Sequence, residues 1–157
     1  MKKSLYDYFM KSSFLDINLK KYYEGTPRFT NYDVENFDFY NKINKINEFF
    51  SDSLSVHLKL YYWEPDSQIH TYIRNFNYDF ENLKLYHKRS LPGVALVRLR
   101  NNDSVFIQNI LFNHFNKEFS LNPCLDIRPY FLIHKKTSLL LLEIYDDRGF
   151  NVFFEPL

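Results

Sequence analysis

One domain is the expectation for 157 residues, a length that buries roughly 70% of the unfolded surface and needs neither a metal nor a disulfide to hold it. Twenty Lys and Arg against 19 Asp and Glu leave a formal charge of +1, spread as ten against ten up to residue 78 and ten against nine after it. That evenness counts against a dedicated binder of duplex nucleic acid, which carries a clustered positive field. The single cysteine, Cys124, cannot form an intramolecular disulfide, and the longest apolar run, Leu139 to Leu142, is far short of the ~20 residues of a membrane span.

The N-terminal MKKSLYDYFMKSSFLD opens on two lysines, but Asp7, Lys11 and several hydroxyls interrupt the apolar run a secretory signal requires. The chain therefore reads as cytoplasmic, with no membrane partner. Leu5, Tyr8, Phe9 and Phe14 recur at near-helical spacing and predict a short amphipathic helix over 3–14. Residues 28–32, after Pro27, predict a short edge strand. Asp33, Glu35 and Asp38 then concentrate three carboxylates ahead of a helix, where they serve as caps and meet its positive end, or else form a binding epitope.

Phe39, Ile43, Ile46 and Phe50 fall at i, i+4, i+7 and i+11, a helical stripe with Lys42, Lys45 and Glu48 off it. A strand follows in which Val56, Leu58, Leu60 and Tyr62 point to the core and His57, Lys59, Tyr61 and Trp63 point away. Ile69 to Phe76 alternates weakly and fits either a strand or a helix, and residues 77–93 form the longest connection. Ala95, Val97 and Leu99 define the core face of the next strand, with Arg98 and Arg100 on the other. Asp103 caps a helix running to Phe119 that buries Ile107, Ile110, Leu111, His114 and Phe115.

The last thirty residues read as three strands. Asp146-Asp147-Arg148-Gly149 places Asp first and Gly last in a type I turn, with Gly149 in the left-handed conformation that rejoins the strands through a bulge. Counting from the turn pairs Ile144 with Val152 and Leu142 with Phe154 on the core face, and Tyr145 with Asn151 and Glu143 with Phe153 on the other. The whole chain, 1–157, is then a single α+β domain: a mostly antiparallel sheet with helices packed on one face and a C-terminal β-meander.

The ending LLEIYDDRGFNVFF, preceded by a helix finishing in HFNKEF and a strand PYFLIHKK, resembles an uncharacterised bacterial domain-of-unknown-function family whose members end in a Tyr-Asp-Asp-Arg-Gly hairpin. The resemblance spans residues 94–154 and extends more weakly to the helix at 38–51 and the strand after it. It implies this fold and brings no catalytic residues with it.

Asp146, Asp147 and Arg148, with Glu143 nearby, come closest to a catalytic constellation, since paired carboxylates hold divalent metals. A structural turn accounts for them more simply: Asp146 accepts from turn amides, Asp147 tolerates the turn geometry and Arg148 is solvated. His57, His70, His87, His114 and His134 fall into no metal-ligand spacing, HExxH, CxxC and GxSxG are absent, and three glycines cannot build a phosphate loop. No catalytic residue, metal or cofactor is expected.

Lys59, Tyr61, Trp63, Arg98 and Arg100 are expected on the sheet face away from the helices. They form either a protein-binding hot spot or a platform for unpaired bases, against a solvated or covered face with Arg98 or Arg100 paired to Glu143. The expectation is a non-catalytic protein-binding module, a bacterial immunity protein that binds and neutralises a cognate toxin through Asp33, Glu35, Asp38 and this face. The alternative is a single-stranded nucleic-acid binder using Tyr61, Trp63, Arg98 and Arg100.

Overall fold

The computed structural model describes residues 4–11, 29–33, 39–85, 91–100, 103–118, 121, 124–146 and 149–157. Seven strands form one sheet: β1 (Phe29–Asp33), β2 (Ser55–Tyr62), β3 (Asn82–Lys84), β4 (Gly93–Leu99), β5 (Ile127–His134), β6 (Ser138–Asp146) and β7 (Gly149–Pro156). Their order is β1-β7-β6-β5-β2-β4-β3, with every neighbouring pair antiparallel. The last three strands form the expected meander, and β1 is the expected edge strand. Four α-helices accompany them among the described residues: α1 (Leu5–Lys11), α2 (Phe39–Asn47), α3 (Asp66–Asn75) and α4 (Ser104–Glu118). This is the predicted α+β class.

The helices divide unequally between the two faces. Ile43 and Ile46 of α2, Ile69 and Ile73 of α3, and Phe106, Ile110 and Phe115 of α4 join the main core over Leu58, Val97, Phe131 and Leu142. Ile69 and Ile73, four residues apart with Tyr72 and Phe76 beside them, settle the open segment as helix, because that spacing buries one helical side against the sheet. A single turn of 3₁₀ helix, Glu48–Phe50, follows α2 and sets the half-buried Phe50 edge-on to Phe131 at 5.1 Å. Lys42, expected off the apolar stripe, is buried.

The other face was expected to carry no helix, and α1 covers part of it. Leu5 and Phe9 pack with Tyr61, Val94, Leu96, Tyr130, Leu141 and Phe153 in a second cluster. Polar contacts at both ends hold this short helix. Ser4 Oγ accepts from the Asp7 N–H and donates to the Asp7 carboxylate, both at 3.1 Å, while the Leu5 N–H donates to Glu155 Oε2 of β7 at 2.9 Å. At the other end, Lys59 Nζ of β2 donates to the Phe9 carbonyl. An acid thus sits at the positive end of the helix and an amine at its negative end, as the helix dipole favours. Phe14 lies outside the described residues.

The C-terminal hairpin keeps its expected faces but not its expected register. Pairing continues to Asp146 opposite Gly149, and a bulge between Ile144 and Asp146 takes up the odd residue on β6. Leu142 therefore faces Val152, Ile144 faces Phe150, Glu143 faces Asn151 and Leu140 faces Phe154, a shift of two residues from the expected pairs. An even shift leaves each side chain on its face. Phe154, expected in the core, is 38% exposed.

Gly149 also differs from expectation. Its φ lies outside the left-handed region, and space is what excludes a side chain: a Cβ would fall 2.5 Å from Tyr145 Oη and closer still to the Tyr32 carbonyl oxygen across the β1–β7 pair.

Candidate functional site

The residues expected to form one binding face lie in three different settings. Lys59 and Tyr61 are buried beneath α1. Tyr61 meets Tyr130 edge-on at 5.5 Å, and Lys59 Nζ lies 5.6 Å from the centre of the Phe9 ring. Burial, and then the charge of Lys84, pushes the Lys59 amine down to about 8. Both positions alternate correctly with the core residues of β2. Alternation identifies a second face, however, without revealing that a helix 48 or more residues away in sequence covers it.

Trp63 and Arg100 are exposed but stand at opposite ends of the β2–β4 pair, one residue beyond Tyr62 and Leu99 respectively. At ~3.3 Å rise per residue this separates them by about 25 Å. Arg98 is exposed opposite His57, and Arg100 folds back, placing its guanidinium 4.6 Å over the Tyr78 ring and donating to the Phe76 carbonyl at 3.1 Å. The continuous aromatic and arginine platform expected from the sequence is therefore not assembled. His57, half-buried, has its pKa lowered by burial against the partly offsetting Glu81 carboxylate 3.8 Å away, with Arg98 and His134 lowering it further.

Glu143 pairs with neither Arg98 nor Arg100. Its partners are Arg128 at 3.5 Å and Asn151 at 3.1 Å, and Asn151 Oδ1 in turn accepts from Asn31 at 2.7 Å. This row of polar groups crosses β5, β6, β7 and β1 on the face that carries α1. Asp33 ends β1 opposite Gly149, and Asp146 ends β6. Glu35, Asp38, Asp147 and Arg148 lie outside the described residues, so the acidic epitope and the turn carboxylates gain no geometry here.

Sequence reasoning missed an open groove of about 670 Å³ between α3 and α4. Tyr72 of α3 donates to Asn109 Oδ1 of α4 at 2.5 Å, and Asn113 Nδ2 donates to Asn109 Oδ1 at 2.8 Å and to the Asn109 carbonyl at 2.9 Å. Burial pushes the Tyr72 hydroxyl far above the ordinary phenol range, so it remains a donor. Phe76 and Leu125 add apolar surface, and the half-buried Cys124 also lines the groove. The available sequence signal was two asparagines at i and i+4 beside the buried Ile110 and Phe106, a polar pair within an otherwise apolar helix.

No described helix is long and apolar enough to cross a membrane. Among the described residues, no group of three His, Cys, Asp or Glu side chains is placed to hold a metal ion. No family model, curated protein or solved structure matches this chain.

Proposed function

We propose that this chain is a protein-binding module, and specifically a bacterial immunity protein that acts in the cytoplasm by binding and neutralising a cognate toxin. Trp63 carries the reading. It is the only tryptophan of the chain and is 42% exposed, yet its backbone is fixed by an N–H bond to the Asp126 carbonyl at 3.0 Å. A large aromatic on a fixed backbone has only two side-chain torsions to order when a partner covers it, and such residues dominate the energetics of protein interfaces. Trp63 is followed by Pro65 and bonded to Asp126, whose neighbour Leu125 lines the α3–α4 groove together with Pro65. The exposed aromatic and the groove therefore share one end of the molecule.

Co-expression with the product of the adjacent reading frame tests this. The expected result is rescue from that product's toxicity and a stoichiometric complex that Trp63→Ala weakens by about 2 kcal/mol or more. An adjacent product that is harmless, or that forms no complex, overturns the immunity reading.

A further inference from the structure

We propose that the groove between α3 and α4 binds an extended, uncharged peptide segment by its main chain, with Asn109 and Asn113 as the recognising pair. This deepens the protein-binding reading above and rests on it for the identity of the natural partner.

Orientation of the two amides follows from their contacts. The Asn109 backbone carbonyl can only accept, so the Asn113 atom 2.9 Å from it is the donating Nδ2. That same Nδ2 donates to Asn109 at 2.8 Å, so the Asn109 atom there is Oδ1, which also accepts from Tyr72. Two groups are left over: Asn113 Oδ1, an acceptor, and Asn109 Nδ2, a donor. Neither has a hydrogen-bond partner among the described residues, although Asn113 is only 6% exposed and lines the groove.

Asn113 Oδ1 is not sealed from solvent, so a ligand that enters the groove must replace its water with a donor of its own. One donor and one acceptor, one helical turn apart on the same side of α4, match what each peptide unit presents, a C=O and an N–H. No Asp, Glu, Lys or Arg lines the groove. A phosphate or carboxylate ligand would find no counter-charge there, and a charged peptide side chain would be desolvated without compensation. The apolar surface of Phe76 and Leu125 suits the small or apolar side chains of a neutral segment.

The probe is a displayed library of twelve-residue peptides selected against the intact protein, with each selected peptide resynthesised, capped at both ends and titrated by fluorescence anisotropy. Selected peptides are expected to be uncharged at their centre. Asn109→Asp keeps the oxygen that accepts from Tyr72 and Asn113 but replaces the free donor with an acceptor, and it should weaken binding about tenfold or more. Thr71→Trp, at an exposed position lining the groove, fills the space without touching the core and should abolish binding while leaving the unfolding midpoint in place. Selection of no peptide above background, or peptides indifferent to both variants, overturns the proposal, as does enrichment of acidic or basic peptides. Because this test uses no toxin, it separates from the previous one. Peptide capture without a complex with the neighbouring product sinks the immunity reading alone, and a Trp63-dependent complex with no groove-dependent peptide sinks the groove alone.

Discussion

The two faces of the sheet are closed by different means. On the first, α2, α3 and α4 press aliphatic and aromatic side chains onto β2, β4, β5 and β6, where Leu58, Val97, Phe131 and Leu142 are fully buried. On the second, a seven-residue helix lies over Tyr61, Tyr130 and Leu141, and Lys59, Glu143 and Asn151 are buried on the same side. Hydrophobic burial dominates the closing of the first face, with specific bonds such as Tyr72 to Asn109 added between its helices, whereas closing the second also depends on α1 arriving with its ends matched to Glu155 and Lys59. Stability should therefore reside mainly in the first face, with the second able to open separately.

The largest effects should come from removing equivalent rings on the two faces. Phe131→Ala leaves a cavity in the main core between β5 and the 3₁₀ turn at Phe50 and should cost about 3–5 kcal/mol. Phe9 is equally buried, but its loss is capped by the free energy of docking a seven-residue helix, so Phe9→Ala should cost less, about 2 kcal/mol. Denaturant unfolding gives both values, and amide exchange should show faster exchange in α1 and at its contacts for Phe9→Ala alone. Equal losses would mean that the faces are equally essential.

Gly149 comes next, at about 1–3 kcal/mol for Gly149→Ala, the range for forcing a side chain into occupied space. The cause can be separated from a turn conformation. A left-handed requirement would let Asn substitute better than Ala, whereas crowding by the Tyr32 carbonyl and Tyr145 Oη makes Asn no better than Ala. Unfolding midpoints of the two variants decide it.

Legibility in the sequence follows the same division. Val56, Leu58, Leu60 and Tyr62 could be assigned because one period-2 set is wholly apolar, and the stripe of α2 because Ile43 and Ile46 keep helical spacing. The meander followed from its turn and alternation. Its register did not, because a bulge at Tyr145 moves the pairing by whole residues without disturbing the apolar pattern. Lys59 and Tyr61 were misplaced because their cover is supplied from a distant part of the chain, so no local signal marks it. The groove escaped for a related reason: Tyr72 and Asn109 are 37 residues apart and meet only once α3 and α4 pack on the sheet.

Lys59 gives a subtler test of the second face. Its folded value of about 8 lies below the ordinary lysine value of 10.5, because burial outweighs the attraction of the helix end. Between those limits the unfolded chain binds more protons than the folded one, so this residue makes stability rise with pH from about 8 to 10.5. Lys59→Met should lack that increment. Comparing wild type with variant at pH 7.5 and pH 10.5 cancels the titration of other groups, and the stability difference should move in favour of wild type at the higher pH. A difference that stays constant, or moves the other way, would place the amine in water rather than under α1.

The smallest expected effects distinguish the two arginines that the sequence placed together. Arg98 is exposed on the second face, and its charge acts on His57 by opposing protonation of the imidazole, so Arg98→Ala should change stability by no more than about 0.5 kcal/mol. The Arg100 side chain has three contacts, with the Tyr78 ring, the Phe76 carbonyl and, at 3.5 Å, the Asn77 carbonyl, and Tyr78 in turn donates to Asp103, the residue whose carboxylate caps α4 through the Phe106 N–H. Losing a partly exposed cation–π contact and the exposed hydrogen bonds to these two carbonyls should cost about 1 kcal/mol in Arg100→Ala. Arg100→Lys should recover only part of it, since an ammonium supports the ring contact but lacks the planar fork that reaches the carbonyl while lying over the ring. Urea unfolding of the three variants resolves this ordering, and equal midpoints for Arg98→Ala and Arg100→Ala would show that the end of β4 is not anchored to the start of α4 through this arginine.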